Sequence, residues 1–303
     1  MKVYSLFFLS LLLLNFCTQK EEIIPRKAIV ISVIGDVLAS GKKVHLAQEI
    51  IDEEIIVGKN SMCDLQLLDS DSLVVLRLKS YSKFKLSGKK VGSKIQNLFT
   101  FNYGTGIFNV SKVASQEQIK TLTPTLTAGV RGTKYEVNIQ PNGSTKILVL
   151  EGEIQAKPRI PEIEKLSSSQ SVAKTISKTL DKKEFKIKSG EFSEIPAEVK
   201  NKLLKDTGLE STQGNKPKEV GQNIELEKLE EKLAQMEKDE LNFSTKEIDL
   251  QTQKQKLKEY DEIVPFEKTQ INDPKIRTAL IQARFRKIEK NWWEMFKEWL
   301  KSF

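Results

Sequence analysis

From residue 28 to about residue 154, apolar and polar positions alternate in short runs, each stopped by turn chemistry. Residues 28–34 are β-branched and end at Gly35-Asp36, and residues 54–57 are closed by Gly58-Lys59-Asn60. Residues 62–68 and 73–78 flank Asp69-Ser70-Asp71-Ser72, a polar turn between two apolar runs and therefore a hairpin signal. Residues 83–86 alternate as a half-buried strand does. Two further pairs follow: 97–103 and 107–110 across Gly104-Thr105-Gly106, then 133–139 and 145–150 across Pro141-Asn142-Gly143-Ser144. Strands at this spacing, with no helical period between them, predict an all-β domain of antiparallel hairpins, sandwich-like or solenoid-like.

The pattern changes after residue 160. Residues 161–183 are rich in serine and lysine and read as an insertion with a short helix near 172–180. Residues 184–188 and 192–195, joined by Ser189-Gly190-Glu191, form a last hairpin that closes a β domain spanning 28–196. Residues 197–217 begin with a short helical stretch and continue as a linker containing Gly208, Gly214 and Pro217. From 218 to 303 the chain is helical or coiled-coil in character. Leu226, Leu229, Leu233 and Met236 share one helix face, and Ser244-Thr245-Lys246-Glu247 has the form of a capping box. Pro265 breaks the second helix, and Asp273-Pro274 opens a third.

That third helix holds all three tryptophans. Trp292, Trp293, Phe296 and Trp299 make it a candidate contact helix. Residues 274–303 contain eight basic and three acidic residues, net +5, whereas 218–262 contain eight basic and thirteen acidic, net −5. Opposite charge on neighbouring helices predicts an antiparallel bundle, with self-association as one outcome. A basic amphipathic helix on a membrane or in a partner's groove is the alternative.

The N-terminus gives an address. Residues 1–16 combine a lysine with a nearly unbroken apolar run, the form of a signal peptide, too short for a comfortable membrane span. Leu14-Asn15-Phe16-Cys17 resembles the lipobox of bacterial lipoproteins, although Phe16 stands where a small residue is usual. The resemblance implies lipidation of Cys17, a tether over 17–27, and anchoring to one leaflet. Thr18-Gln19 after the cysteine favours the outer membrane over the inner, on the periplasmic side or at the cell surface. Cys63 is then unpaired and reads as a small core residue.

Composition excludes most enzyme classes. Among 303 residues there is one histidine, His45, on which any His-based metal site or Ser-His-Asp triad would have to be built. In Val44-His45-Leu46-Ala47 it reads as a half-exposed strand residue. No catalytic residue, cofactor or metal ligand is assigned. The formal charge of +8 forms no continuous basic stripe, so nucleic acid is not an expected partner.

One stretch carries a family resemblance. Thr123-Pro124 is followed by Ala128-Gly129-Val130-Arg131-Gly132-Thr133-Lys134-Tyr135-Glu136-Val137, and after a turn by Leu148-Val149-Leu150-Glu151-Gly152-Glu153-Ile154. This resembles the hallmark of the FecR-type periplasmic domain, with Gly35-Asp36-Val37 and Val57-Gly58-Lys59-Asn60 fitting upstream. The resemblance covers about 28–154. Gly129, Arg131, Gly132, Thr133, Glu151 and Gly152 are its marked residues, and their physical reading is structural: glycines bracket Arg131 where the backbone turns or approaches a strand closely. Arg131 and Glu151 are expected to pair and fix strand register, so that Arg131→Ala lowers stability.

The resemblance implies a non-enzymatic envelope lipoprotein acting in protein interaction or sensing, with an outer-membrane transporter as one partner. The cytosolic anti-sigma segment of full-length relatives has no counterpart in this reading. A surface adhesin or scaffold without a sensing role, and an exported carboxylate-dependent glycan hydrolase, are the alternatives.

Overall fold

The structure is a computed structural model and describes residues 21–111, 116–166, 171–206 and 243–301. Cys17, the linker at 207–217 and the heptad-like leucines at 226–236 lie outside the described residues. So do the side chains of Trp292, Trp293, Phe296 and Trp299.

In chain order the strands are β1 (Glu21–Ile24), β2 (Lys27–Ile34), β3 (Val37–Ala39), β4 (Lys42–Lys43), β5 (Glu49–Ile51) and β6 (Glu54–Val57). Next come β7 (Met62–Leu67), β8 (Val74–Leu78), β9 (Ser82–Val91), β10 (Lys94–Val110), β11 (Glu117–Leu122) and β12 (Leu126–Val130). The last are β13 (Lys134–Ile139), β14 (Thr145–Glu151), β15 (Glu153–Pro158), β16 (Phe185–Lys188), β17 (Glu191–Ile195) and β18 (Lys246–Glu247). The stretch read as a tether therefore contains a strand, β1, which pairs antiparallel with β9.

These strands form two sheets. The first runs β4-β3-β6-β9-β10-β11-β12-β15-β16, with β1 beside β6 on the same edge of β9. The second runs β5-β2-β7-β8-β10-β13-β14-β17-β18. Strand β10 belongs to both, its first half in one sheet and its second half in the other. The two runs expected on either side of Gly104-Thr105-Gly106 are thus one continuous strand that changes sheets. Gly104, at φ +95°, makes this possible: a Cβ there would fall on the Tyr81 carbonyl and on Ser82.

Inward-facing alternate residues of both sheets make one core. At its centre Phe84, Phe99, Phe101, Phe108 and Tyr135 form a continuous aromatic stack, with Phe108 and Tyr135 parallel at 4.6 Å. Cys63 is fully buried in this core, as its sequence setting predicts, and burial pushes its thiol pKa far up, leaving it inert. His45 stands exposed in a turn between β4 and β5 rather than within a strand.

Helices α1 (Pro161–Leu166), α2 (Ser171–Asp181) and α3 (Ala197–Asp206) build a small second core around Ile163, Ala173, Ile176 and Leu203. Helices α4 (Leu250–Asp261), α5 (Lys268–Ile271) and α6 (Pro274–Lys301) complete the chain. Helix α4 starts later than the capping box predicts. Lys246 and Glu247 are taken into β18, and Asp249 caps instead, accepting from the Thr252 amide at 2.9 Å. Asp273 does open α6, accepting from the Lys275 amide at 2.8 Å.

The expected bundle includes the helix at 226–236, which lies outside the described residues, and the described C-terminal helices take another surface. Tyr260, Ile263, Phe266, Ile271 and Ile281 lie instead on the outer face of the second sheet, against Ile29, Ile31, Val75, Ile107, Leu148 and Leu150. The physical reason lies in those strands. Ile29, Ile31, Val75, Ile107, Leu148 and Leu150 form an apolar patch on their outward side, among polar residues such as Gln66, Arg77 and Glu136, and that patch needs covering. Charge then fixes the placement: Lys256 reaches Glu136 at 2.8 Å, Lys79 reaches Glu259 at 2.8 Å, and Arg77 holds both Asp64 and Glu262. Burial works against the Arg77 charge, but the bonds to Asp64 and Glu262 outweigh it and raise its pKa. Among the described residues, no helix is long and apolar enough to cross a membrane.

Candidate functional site

The outer face of the first sheet carries a groove of about 880 Å³ across β11, β12 and β15. Strand β11 alternates cleanly: Glu117, Ile119 and Thr121 are buried, and Gln118 and Lys120 face outward. On β12 the inward residues are Leu126, Ala128 and Val130, which places Gly129 and then Arg131 on the outer side. Lys120 lies opposite Gly129, and Gly129 opposite Gln155. Gly129 has an ordinary strand conformation, so of the two glycines that bracket Arg131 it is Gly132, at φ +71°, that takes the turn. A Cβ on Gly129 would meet nothing closer than the Gln155 carbonyl at 3.6 Å. What Gly129 supplies is open floor between two long side chains.

The remaining marked residues build a double corner. Arg131-Gly132-Thr133 carries the chain from β12 in the first sheet to β13 in the second, and Glu151-Gly152 carries it back from β14 to β15. The two corners touch. Gly152 sits at φ +87°, and a Cβ there would stand 2.5 Å from the Gly132 carbonyl oxygen and 3.0 Å from Thr133 Oγ1. The buried Thr133 hydroxyl donates to the Glu153 carbonyl at 3.0 Å, tying one corner to the other. The structural reading of Gly132, Thr133 and Gly152 therefore has a concrete basis: two strands cross between sheets side by side.

The expected pairing of Arg131 with Glu151 is not made. Glu151 accepts from Lys134 Nζ at 3.0 Å, its direct cross-strand neighbour. Arg131 opens the first corner, and its side chain is exposed at the groove instead, with no hydrogen bond or ion pair among the described residues.

The charges along the groove are unequally satisfied. Glu117 turns inward and accepts from the hydroxyls of Ser70 at 2.9 Å and Ser72 at 2.8 Å and from the amides of Asp71 and Ser72, both at 3.0 Å; Arg26 lies 3.8 Å away. Burial alone would raise its pKa, but these donors outweigh burial and hold it below the ordinary value. Glu153 is paired with Lys186 at 2.8 Å, and Asp181 with Lys157. The side chain of Lys120 makes no hydrogen bond or ion pair among the described residues. Burial, reinforced by Lys157 and Lys89 nearby, pushes its pKa below the ordinary lysine value, against a weaker pull from Asp181 and Glu21.

Lys120, Gln118 and Gln155 were not singled out by sequence reasoning. The signal that could have found the first two is the six-residue alternation of Glu117–Leu122. Among the described residues no three His, Cys, Asp or Glu side chains stand close enough to hold a metal ion.

The domain is a β-sandwich whose most distinctive residues are spent on sheet crossing, beside a polar groove. The family model described as FecR protein matches residues 53–155, so the chain carries a FecR domain there. Two solved structures of a candidate anti-sigma factor from Parabacteroides distasonis align with TM-scores of 0.31 and 0.27, each at 14% identity. Each alignment covers 47% of this chain and 54% of the other, so the chain spans about half the length of the solved structures it matches. No curated protein matches the sequence.

Proposed function

We propose that this chain is a non-enzymatic cell-envelope module that relays protein contacts through the open face of its FecR domain. One observation carries the reading. Among the described residues, the outer face of the second sheet is occupied by the chain's own C-terminal helices, whereas the outer face of the first sheet holds an open groove beside the double corner. The apolar N-terminal run ending in Cys17 supports lipid anchoring to one leaflet, the outer membrane being favoured. A body tethered in that way acts on transcription only through another protein, so its partner is an envelope protein, with an outer-membrane transporter one such partner. A scaffold or adhesin uses the same face without a signal.

The test is photocrosslinking in cells with the full chain, the reactive residue placed at Gln118 in the groove or at the exposed Lys258 on α4. The expected result is an adduct with an envelope protein from Gln118 and none from Lys258. A transporter in the adduct supports sensing, and envelope-building machinery supports scaffolding. Absence of adducts from Gln118, or equal adducts from both positions, overturns the proposal.

A further inference from the structure

We propose that the groove on the first sheet binds an extended, carboxylate-bearing peptide segment of a partner protein, with Lys120 and Arg131 receiving its acidic side chains. This deepens the contact-module reading and rests on it, naming the chemistry of the segment that is bound.

The argument is one of charge already spent and charge left over. Glu117 is taken up by Arg26 and two serines, Glu153 by Lys186, and Asp181 by Lys157. Lys120 and Arg131 line the same groove with no hydrogen bond or ion pair among the described residues. Lys120 is also partly desolvated between like charges, which lowers its pKa. A carboxylate placed beside it relieves that penalty, and contacts of this charge-assisted kind are the stronger class of hydrogen bond.

Geometry selects an extended peptide. Lys120 pairs with Gly129, and Arg131, two residues beyond Gly129 and just past the end of β12, lines the same groove. The two cations are therefore one strand apart and one alternation apart, the spacing at which a β-like segment presents every second side chain. Gly129 leaves room for main chain between them, and Gln118 and Gln155 offer amides to it. Glu184, exposed at the β15 side of the groove, keeps that end negative, which disfavours a compact polyanion and suits single charges spaced apart.

The test uses the purified full chain and a fluorescein-labelled peptide of alternating serine and glutamate, followed by anisotropy, with an alternating serine and glutamine peptide as its neutral counterpart. Binding of the acidic peptide is expected to exceed that of the neutral one by about tenfold or more, and to weaken by about tenfold in Lys120→Met and in Arg131→Gln. Unfolding midpoints of both variants should match the parent. Should Lys120→Met fail to fold, the exposed Arg131→Gln alone decides. Equal binding of the two peptides, undiminished affinity in the variants, or displacement by inorganic phosphate at the peptide's own concentration overturns the proposal. Crosslinks at Gln118 without acid selectivity would remove this inference and leave the contact module standing, whereas acid-selective binding without crosslinks would do the reverse.

Discussion

The side-chain amide of Gln66 holds the main chain of Phe266 on both sides: its nitrogen donates to the Phe266 carbonyl, and its oxygen accepts from the Phe266 amide, each at 2.8 Å. Two hundred positions separate the residues in sequence. Gln66 is fully buried on the outer face of β7, so this clamp replaces the ladder hydrogen bonds that the loop between α4 and α5 lacks. Gln66→Leu should leave two buried main-chain groups unpaired and cost about 2–4 kcal/mol. Chemical denaturation measures it, and a loss below half of the lower figure would show the clamp to be incidental.

Glu117 gives a pH dependence with a defined sign. Its folded pKa lies below the unfolded one, so the ionised carboxylate contributes stability that is complete above the unfolded value and is lost as pH falls through the folded value. The parent should therefore lose stability on acidification below the ordinary glutamate range. Glu117→Gln should be less stable at neutral pH by about 2 kcal/mol and show a flatter acid limb. Parallel pH profiles for the two proteins would contradict this.

The glycines of the double corner should separate by position. Gly152→Ala combines a positive φ with a clash against the Gly132 carbonyl, and a loss of more than about 2 kcal/mol is expected. Gly129→Ala meets only ordinary contacts, and its thermal midpoint should stay within a few degrees of the parent, since about 0.5 kcal/mol is at stake.

Arg131→Ala should leave the thermal midpoint unchanged, because the side chain is exposed and makes no hydrogen bond or ion pair among the described residues. A fall of several degrees would restore the structural role first expected for it.

Tyr135→Phe removes a buried hydroxyl that lies 2.7 Å from Thr121 Oγ1. The aromatic stack is retained, so the cost is that of one unpaired hydroxyl, about 1 kcal/mol, read by denaturant midpoint at unchanged slope.

Most strands and the all-β character of the domain were legible because alternation and turn residues are local signals, as 54–57 and the hairpin across Pro141-Asn142-Gly143-Ser144 illustrate, whereas sandwich and solenoid were not told apart. Local signals failed where a distant contact decides. Glycines at 104 and 106 read as a turn, yet they let β10 continue from one sheet into the other, which depends on Tyr81 and Phe101 nearby. The capping box at Ser244 is locally sound, but pairing with Phe192 and Glu191 draws the next residues into a strand. The helices looked suited to one another by charge, although the deciding fact was an apolar outer face formed by Ile29, Val75, Ile107 and Leu148 on separate strands. At the site, the marked glycines and Thr133 were visible as a motif. The groove was not, since it needs the register that sets Lys120 against Gly129 and Gln155.

Strand β10 also governs how the domain comes apart. Lys94 to Val110 is stitched to β9 and β11 along one half and to β8 and β13 along the other, so neither sheet can shed its middle strand while the other remains whole. Its amides are expected to be among the slowest to exchange with solvent. The sheet that bears the groove and the sheet beneath the C-terminal helices therefore share a single length of backbone.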